Sequence, residues 1–207
     1  MKTYTIFTST LFWAASLAGP IGGLSLRHSD GLPSGYSLSN LTWTGNITKN
    51  GPERSFTGPN FQSIDAQILK ANPDFTWPDV NSTDLNSTDL ATPSKSEPWL
   101  TCDPNNIWYA QAFRIEEGID YLSKRTGKCH MDAGPRVCTR ISCSYKSAIW
   151  WCNDNTNPIE ENCMLWSHYA QNILDACRSN DAANRVRGQK FSSANWNIMV
   201  GFDDDHC

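Results

Sequence analysis

The chain has 207 residues, 39% hydrophobic and 18% charged, with a net charge of −4 and a mean hydropathy of −0.48. That length fits one or two domains, and an acidic chain without clustered Lys/Arg is no candidate for nucleic-acid binding through phosphate contacts. Beyond the N-terminus no apolar run is long enough to cross a membrane.

Residues 1–18 read as a secretory signal peptide. Lys2 supplies the positive start, Thr3 to Leu17 is mostly apolar or hydroxylated, and Ser16-Leu17-Ala18 offers small residues around a cleavage point. The run is shorter than a bilayer span and ends in Gly19-Pro20. The expected mature chain is secreted, extracellular and without a membrane span.

Residues 19–100 contain no cysteine and carry turn signals in close succession: Gly31-Leu32-Pro33-Ser34-Gly35, Asn50-Gly51-Pro52, Gly58-Pro59-Asn60 and Ala91-Thr92-Pro93. Asn81-Ser82-Thr83-Asp84-Leu85 repeats at once as Asn86-Ser87-Thr88-Asp89-Leu90. Four N-glycosylation sequons, at Asn40, Asn46, Asn81 and Asn86, fall in this part. The cysteine-bearing part has eleven Asn residues and no sequon, so the segregation marks residues 19–100 as exposed. They are expected to form a largely irregular, low-complexity arm: a glycosylated spacer, a propeptide or a tail. Local exceptions are a short strand around Leu41–Trp43 and a helix over Ser63 to Ala71, with Ser63 as its candidate N-cap.

Residues 101–207 are expected to carry the fold. A helix is predicted from about Asn106 to Lys124, because Trp108, Ala112, Ile115, Ile119 and Leu122 form one stripe. Arg136 to Ser144 alternates as a strand, Tyr145-Lys146-Ser147 turns the chain, and Ala148 to Asn153 returns as an aromatic strand. A second helix is predicted over Ile159 to Arg178, with Pro158 at its start and Glu160 and Glu161 in its first turn. Asn195 to Phe202 gives the last strand, and a shorter one is possible at Arg185–Phe191. The expected class is α+β. One small disulfide-stapled antiparallel sheet carries two helices on one face, in the order helix-strand-strand-helix-strand, after the irregular arm.

Eight cysteines, Cys102, Cys129, Cys138, Cys143, Cys152, Cys163, Cys177 and Cys207, are expected to form four disulfides in an oxidising compartment, with the pairing left open. The absence of any Cys-x-x-Cys pair argues against zinc, and no metal or other cofactor is expected. Cys129-His130 and His168 are the candidates for Cys–His catalysis, but a catalytic cysteine must be a free thiolate. Glu116-Glu117, Glu160-Glu161 and Asp203-Asp204-Asp205 are candidate carboxylate pairs, each with an ordinary solvated explanation. No catalytic residue is assigned, and Lys124-Arg125 is a candidate dibasic processing site. Trp150 and Trp151 are strand neighbours and must point to opposite faces, so one is a candidate binding surface unless the arm buries it.

The stretches Arg136 to Tyr145, Ala148 to Asn155, Gly188 to Phe191 and Trp196 to Val200 resemble small secreted cysteine-rich proteins of filamentous fungi, many of them effector candidates. The predicted order is also similar to killer-toxin-like and necrosis-inducing-factor-like α/β effectors. The resemblance covers residues 100–207 and transfers no catalytic residue. It implies a non-enzymatic effector or toxin-like protein whose partner is a host or competitor cell-surface component, protein or glycan. Alternatives from the residues are an extracellular hydrolase with an unrecognised site and a cell-wall or glycan-binding module.

Overall fold

The computed structural model describes residues 31–78, 99–104 and 106–204. The signal segment, Asn81, Asn86, the five-residue repeat and Cys207 lie outside the described residues. In chain order the elements are β1 (Ser37–Leu38), β2 (Leu41–Asn46), β3 (Glu53–Gly58), α1 (Phe61–Ala71), β4 (Leu100–Thr101), β5 (Ala110–Gln111), α2 (Ala112–Leu122) and β6 (Lys128–Met131). Then follow β7 (Val137–Ser144), β8 (Ser147–Asn153), β9 (Ile159–Asn162), α3 (Leu165–Cys177), β10 (Arg185–Val186), β11 (Gly188–Phe191) and β12 (Trp196–Phe202).

The larger sheet has six strands in the order β1-β7-β8-β12-β11-β4, a second has four in the order β3-β2-β6-β9, and β10 pairs with β5 alone. Among the described residues only the β1–β7 pairing is parallel. The β7–β8 hairpin and the β12 strand beside it form where the alternation of Val137 to Ser144 and Trp196 to Phe202 places them.

The arm forms the strand at Leu41–Trp43 and the helix to Ala71 that were expected, but otherwise departs from the irregular chain expected. Residues 37–71 form three strands and a helix, and Leu41, Trp43, Phe61, Ile64 and Ile68 are buried in the main core. The Gly-Pro pairs punctuate short elements rather than mark disorder. Gly51-Pro52 lies in the β2–β3 connection, and Gly58-Pro59 delivers the chain to the α1 N-cap. That cap is Asn60, whose side-chain oxygen accepts from the Ser63 backbone N–H at 2.8 Å; Ser63 itself sits three positions inside.

Two helix starts are also corrected. Residues 110–111 pair with β10, so α2 begins at Ala112 and Trp108 stays outside it. Residues 159–162 form β9 against β6, so α3 begins at Leu165 and Glu160 and Glu161 belong to a strand, not a first turn. Cross-strand pairing, with Lys128 Nζ 3.0 Å from Glu160, outweighs the Pro158 start signal there. The architecture is thus larger than one small sheet with two helices: the described residues form three helices and three sheets.

One core packs α1, α2 and α3, the inner face of the four-stranded sheet, and the Ile141, Ile149, Trp151, Ile198 and Val200 face of the six-stranded sheet. A second cluster, with Leu32, Ile107, Cys138, Ala148, Trp150, Cys152 and Met199, occupies the other face. Disulfides join Cys102 to Cys177, Cys129 to Cys163 and Cys138 to Cys152, closing separations of 75, 34 and 14 residues. Cys143 is also disulfide-bonded, and no described cysteine is free.

The ordered arm is locked to α2 by a polar cluster. Asp65 accepts from Arg125 Nη2 at 2.8 Å, from the Tyr121 hydroxyl at 2.5 Å and from Trp77 Nε1 at 3.2 Å. The Arg125 guanidinium stacks 3.8 Å over the Tyr121 ring and 5.0 Å from Trp77. Burial, then the Asp65 hydrogen bond and charge, push the Tyr121 hydroxyl far above its ordinary pKa. Arg125 is buried and held by Asp65, so of the Lys124-Arg125 pair only Lys124 is presented to solvent.

Candidate functional site

Trp150 and Trp151 do point to opposite faces, but both are fully buried, which corrects their reading as a binding surface. Trp151 packs on Trp166 and Trp196 beneath the helices. Trp150 lies under Leu32 and Ile107, so the second sheet face is covered by segments distant in sequence. The arm contributes Leu32 to that cover, while its own tryptophans lie elsewhere. Trp77 packs on Trp43, Phe61 and Phe75, and Trp99 is 58% exposed.

Most of the described catalytic candidates are otherwise engaged, and Asp205 lies outside the described residues. Cys129 is in a disulfide. Glu117 pairs with Arg114, Glu116 with Arg178, and Glu160 with Lys128, while Glu161 accepts from Trp196 Nε1. Asp203 is fully buried and holds Arg140 at 2.6 Å; Asp204 pairs with Lys146. His168 is half-buried on α3, and that burial lowers its pKa. Among the described residues no group of His, Cys, Asp and Glu is disposed to hold a metal ion.

Asp154 carries a raised carboxylate pKa, caused first by burial. Asn197 donates to it at 2.7 Å, and Gln189 donates to Asn197 at 3.1 Å. Tyr36, also raised by burial, closes over these amides from the arm. This cluster ties the covering segment to the sheet and brings no second carboxylate or nucleophile to Asp154.

The unusual surface lies at one end of the six-stranded sheet. Six large hydrophobic side chains are exposed among the described residues: Leu69, Trp99, Trp108, Tyr109, Phe113 and Tyr145. Four of them, Trp108 at 69%, Tyr109 at 42%, Phe113 at 42% and Tyr145 at 70%, gather around the β7–β8 turn. Hydrogen bonds knit that end together. The Phe202 N–H donates to the Trp108 carbonyl at 2.9 Å, and the Gln111 N–H donates to Ser147 Oγ at 3.2 Å. Gly201 permits the approach: a Cβ there would stand 2.2 Å from Ile107 Cγ2 and 2.9 Å from the Trp108 carbonyl oxygen.

Cations are interleaved with these rings. Arg114 lies 3.8 Å over Tyr145 and 4.7 Å from Phe113, Arg187 4.3 Å from Tyr109, and Lys146 5.7 Å from Phe202. The backbone beneath is costly. Tyr145 and Lys146 are the two central residues of the turn, with φ of 48° and 61°. A two-residue hairpin turn with positive φ at both positions favours Asn-Gly. Side chains with a Cβ are disfavoured there by about 1 kcal/mol or more each. A bulky aromatic and a lysine displayed on such a turn break the local rule that the rest of the hairpin obeys, the pattern expected of functional positions. Trp108 escaped the sequence reading because its helical spacing assigned it to the core stripe. The Tyr-Lys pair at the turn was the available signal for this end.

The glycosylation candidates Asn40 and Asn46 are both exposed, one just before β2 and one at its last residue. Among the described residues no helix is long and apolar enough to cross a membrane. Compared with known protein families, with characterised proteins and with solved structures, the chain matches none of them.

Proposed function

We propose that this chain is a secreted, disulfide-stapled, non-enzymatic protein that acts on another cell by binding at its surface, as an effector or toxin-like protein. The observation that carries this reading is the aromatic end: Trp108, Tyr109, Phe113 and Tyr145 exposed together on a rigid, crosslinked frame. Several large apolar side chains exposed at one end of an otherwise well-buried protein mark a candidate interaction surface. Rigid aromatic anchors bind at low cost in side-chain entropy. The disulfides agree with an oxidising, extracellular setting. The resemblance of residues 100–207 to fungal effector candidates supports a host or competitor cell as the target.

The test exposes plant leaf tissue and competitor yeast cells to labelled, oxidised protein, with reduced and alkylated protein as control. Bound label and ion leakage are measured together. Binding that requires the intact disulfides is the expected result, and leakage with it specifies a toxin. Equal, featureless adhesion of both forms, or none of either, contradicts the reading.

A further inference from the structure

We infer that the ligand of the aromatic end is an uncharged pyranose polymer, a neutral cell-surface glycan, stacked on Trp108 and Tyr145; this rests on the surface-binding reading above. The first argument is charge. Arg185, 5.2 Å from the Tyr109 ring, is a fourth cation here, and each of the four is matched by a carboxylate: Arg114 by Glu117, Lys146 by Asp204, Arg185 by Asp181 and Arg187 by Asp103. A surface built for a polyanion or an anionic bilayer leaves cations free to exchange their counterions. This one spends all four within the described residues of the chain. Inserting the same rings into any bilayer would strip water from four ion pairs, which lipid tails cannot compensate.

The second argument is the shape of the available chemistry. Among the described residues the Trp108 ring stacks on no other ring and on no cation, and it is 69% exposed. Tyr145 is held by Arg114 and stays 70% exposed. A pyranose presents an apolar C–H face to such a ring and hydroxyls around its edge. The ion-paired carboxylates and guanidinium groups that rim the rings can both accept from and donate to those hydroxyls. Aromatic platforms with a polar, net-neutral rim complement that ligand in both respects. The strained Tyr145-Lys146 turn is then the cost of fixing one platform in place.

The experiment measures retention of the intact, oxidised protein on insoluble β-glucan, cellulose and chitin. Phosphatidylcholine and phosphatidylserine vesicles form the lipid arm, and labelled cells run in parallel. Retention on at least one neutral glycan is expected. It should weaken up to about tenfold in Trp108→Ala and in Tyr145→Ala, the scale of one lost aromatic contact. It should also persist as salt is raised to about 0.5 M, where surface charge interactions are screened. Unchanged melting temperatures show that the variants fold. Vesicle binding in place of glycan binding, retention abolished by salt, or retention of both variants equal to that of the unsubstituted protein overturns the inference. If no glycan retains the protein while cells still bind it through Trp108, the ligand class is wrong and the surface-binding reading stands. If cells do not bind it either, both fall.

Discussion

Replacing Asp65 with Ala tests whether the N-terminal segment belongs to the fold. Asp65 lies on α1, and its carboxylate receives Arg125, Tyr121 and Trp77 from outside that helix. The side chains of Arg125 and Asp65 are only 10% and 17% exposed, and Arg125 Nε already has no partner. Asp65→Ala therefore leaves a buried guanidinium uncompensated and a phenol without its acceptor. Breaking a buried pair this way costs about 3–5 kcal/mol. For a chain of this size, that is a loss in melting temperature on the order of 10 °C. Urea unfolding at pH 7, followed by tryptophan fluorescence and far-UV circular dichroism, reads the change as a lower midpoint with both signals moving together. Replacing both partners, Asp65→Leu with Arg125→Met, should recover most of the loss, because no charge is then stranded. If Asp65→Ala shifts the midpoint by less than about 0.5 kcal/mol, the level of an ordinary surface change, the segment is a detachable arm and the packing described above is refuted.

Other outcomes follow from the same structure. Replacing Tyr145-Lys146 with Asn-Gly should raise stability by about 1–3 kcal/mol, since both positions have positive φ, and should weaken cell binding; a destabilised variant contradicts the strain argument. Burial holds the His168 pKa below its ordinary 6.5 in the fold, so the unfolded chain takes up the proton more readily. His168 thus contributes stability above pH 6.5 that is lost as pH falls through the folded value. His168→Gln should flatten that part of the stability profile, and an NMR titration placing the imidazole above 6.5 would contradict the assignment. Loop-closure entropy ranks the crosslinks. Removing Cys102–Cys177, which spans 75 residues, should cost about 4.5 kcal/mol, and removing Cys138–Cys152, which spans 14, about 3 kcal/mol, as read by denaturant midpoints. The reverse order would show that native packing, not chain entropy, dominates.

What could be read from the sequence was local. The β7–β8 hairpin and β12 announce themselves because Val137 to Ser144 and Trp196 to Phe202 alternate over seven or eight residues. The stripes Ile115, Ile119 and Leu122 in α2, and Trp166, Ala170 and Ile173 in α3, are buried as their spacing implied. β6 and β9, four residues each, are too short to show a period, and their pairing, from Lys128 with Asn162 to Met131 with Ile159, joins residues far apart in the chain. β2 shows itself only at Leu41–Trp43, and β3 is rich in Thr, Ser, Gly and charged residues, so the rest of this sheet edge was lost among polar neighbours. The site was misplaced for a related reason. A Trp-Trp pair on a strand fixes opposite directions but not what covers the second face, and the cover here is Leu32 and Ile107. Spacing alone does not tell one tryptophan from another; only tertiary structure separates the buried Trp150 from the exposed Trp108.

The most direct test compares cell binding of three single-surface variants: Trp108→Ala, Tyr145→Ala and Trp99→Ala. Trp99 is a similarly exposed tryptophan, at 58%, but its carbonyl accepts from Phe191, at the end of β11 opposite the β7–β8 turn. Binding lost in Trp108→Ala and Tyr145→Ala but kept in Trp99→Ala is the predicted result. Equal binding in all three, or loss in Trp99→Ala alone, would contradict the assignment of the aromatic end as the surface through which this protein acts.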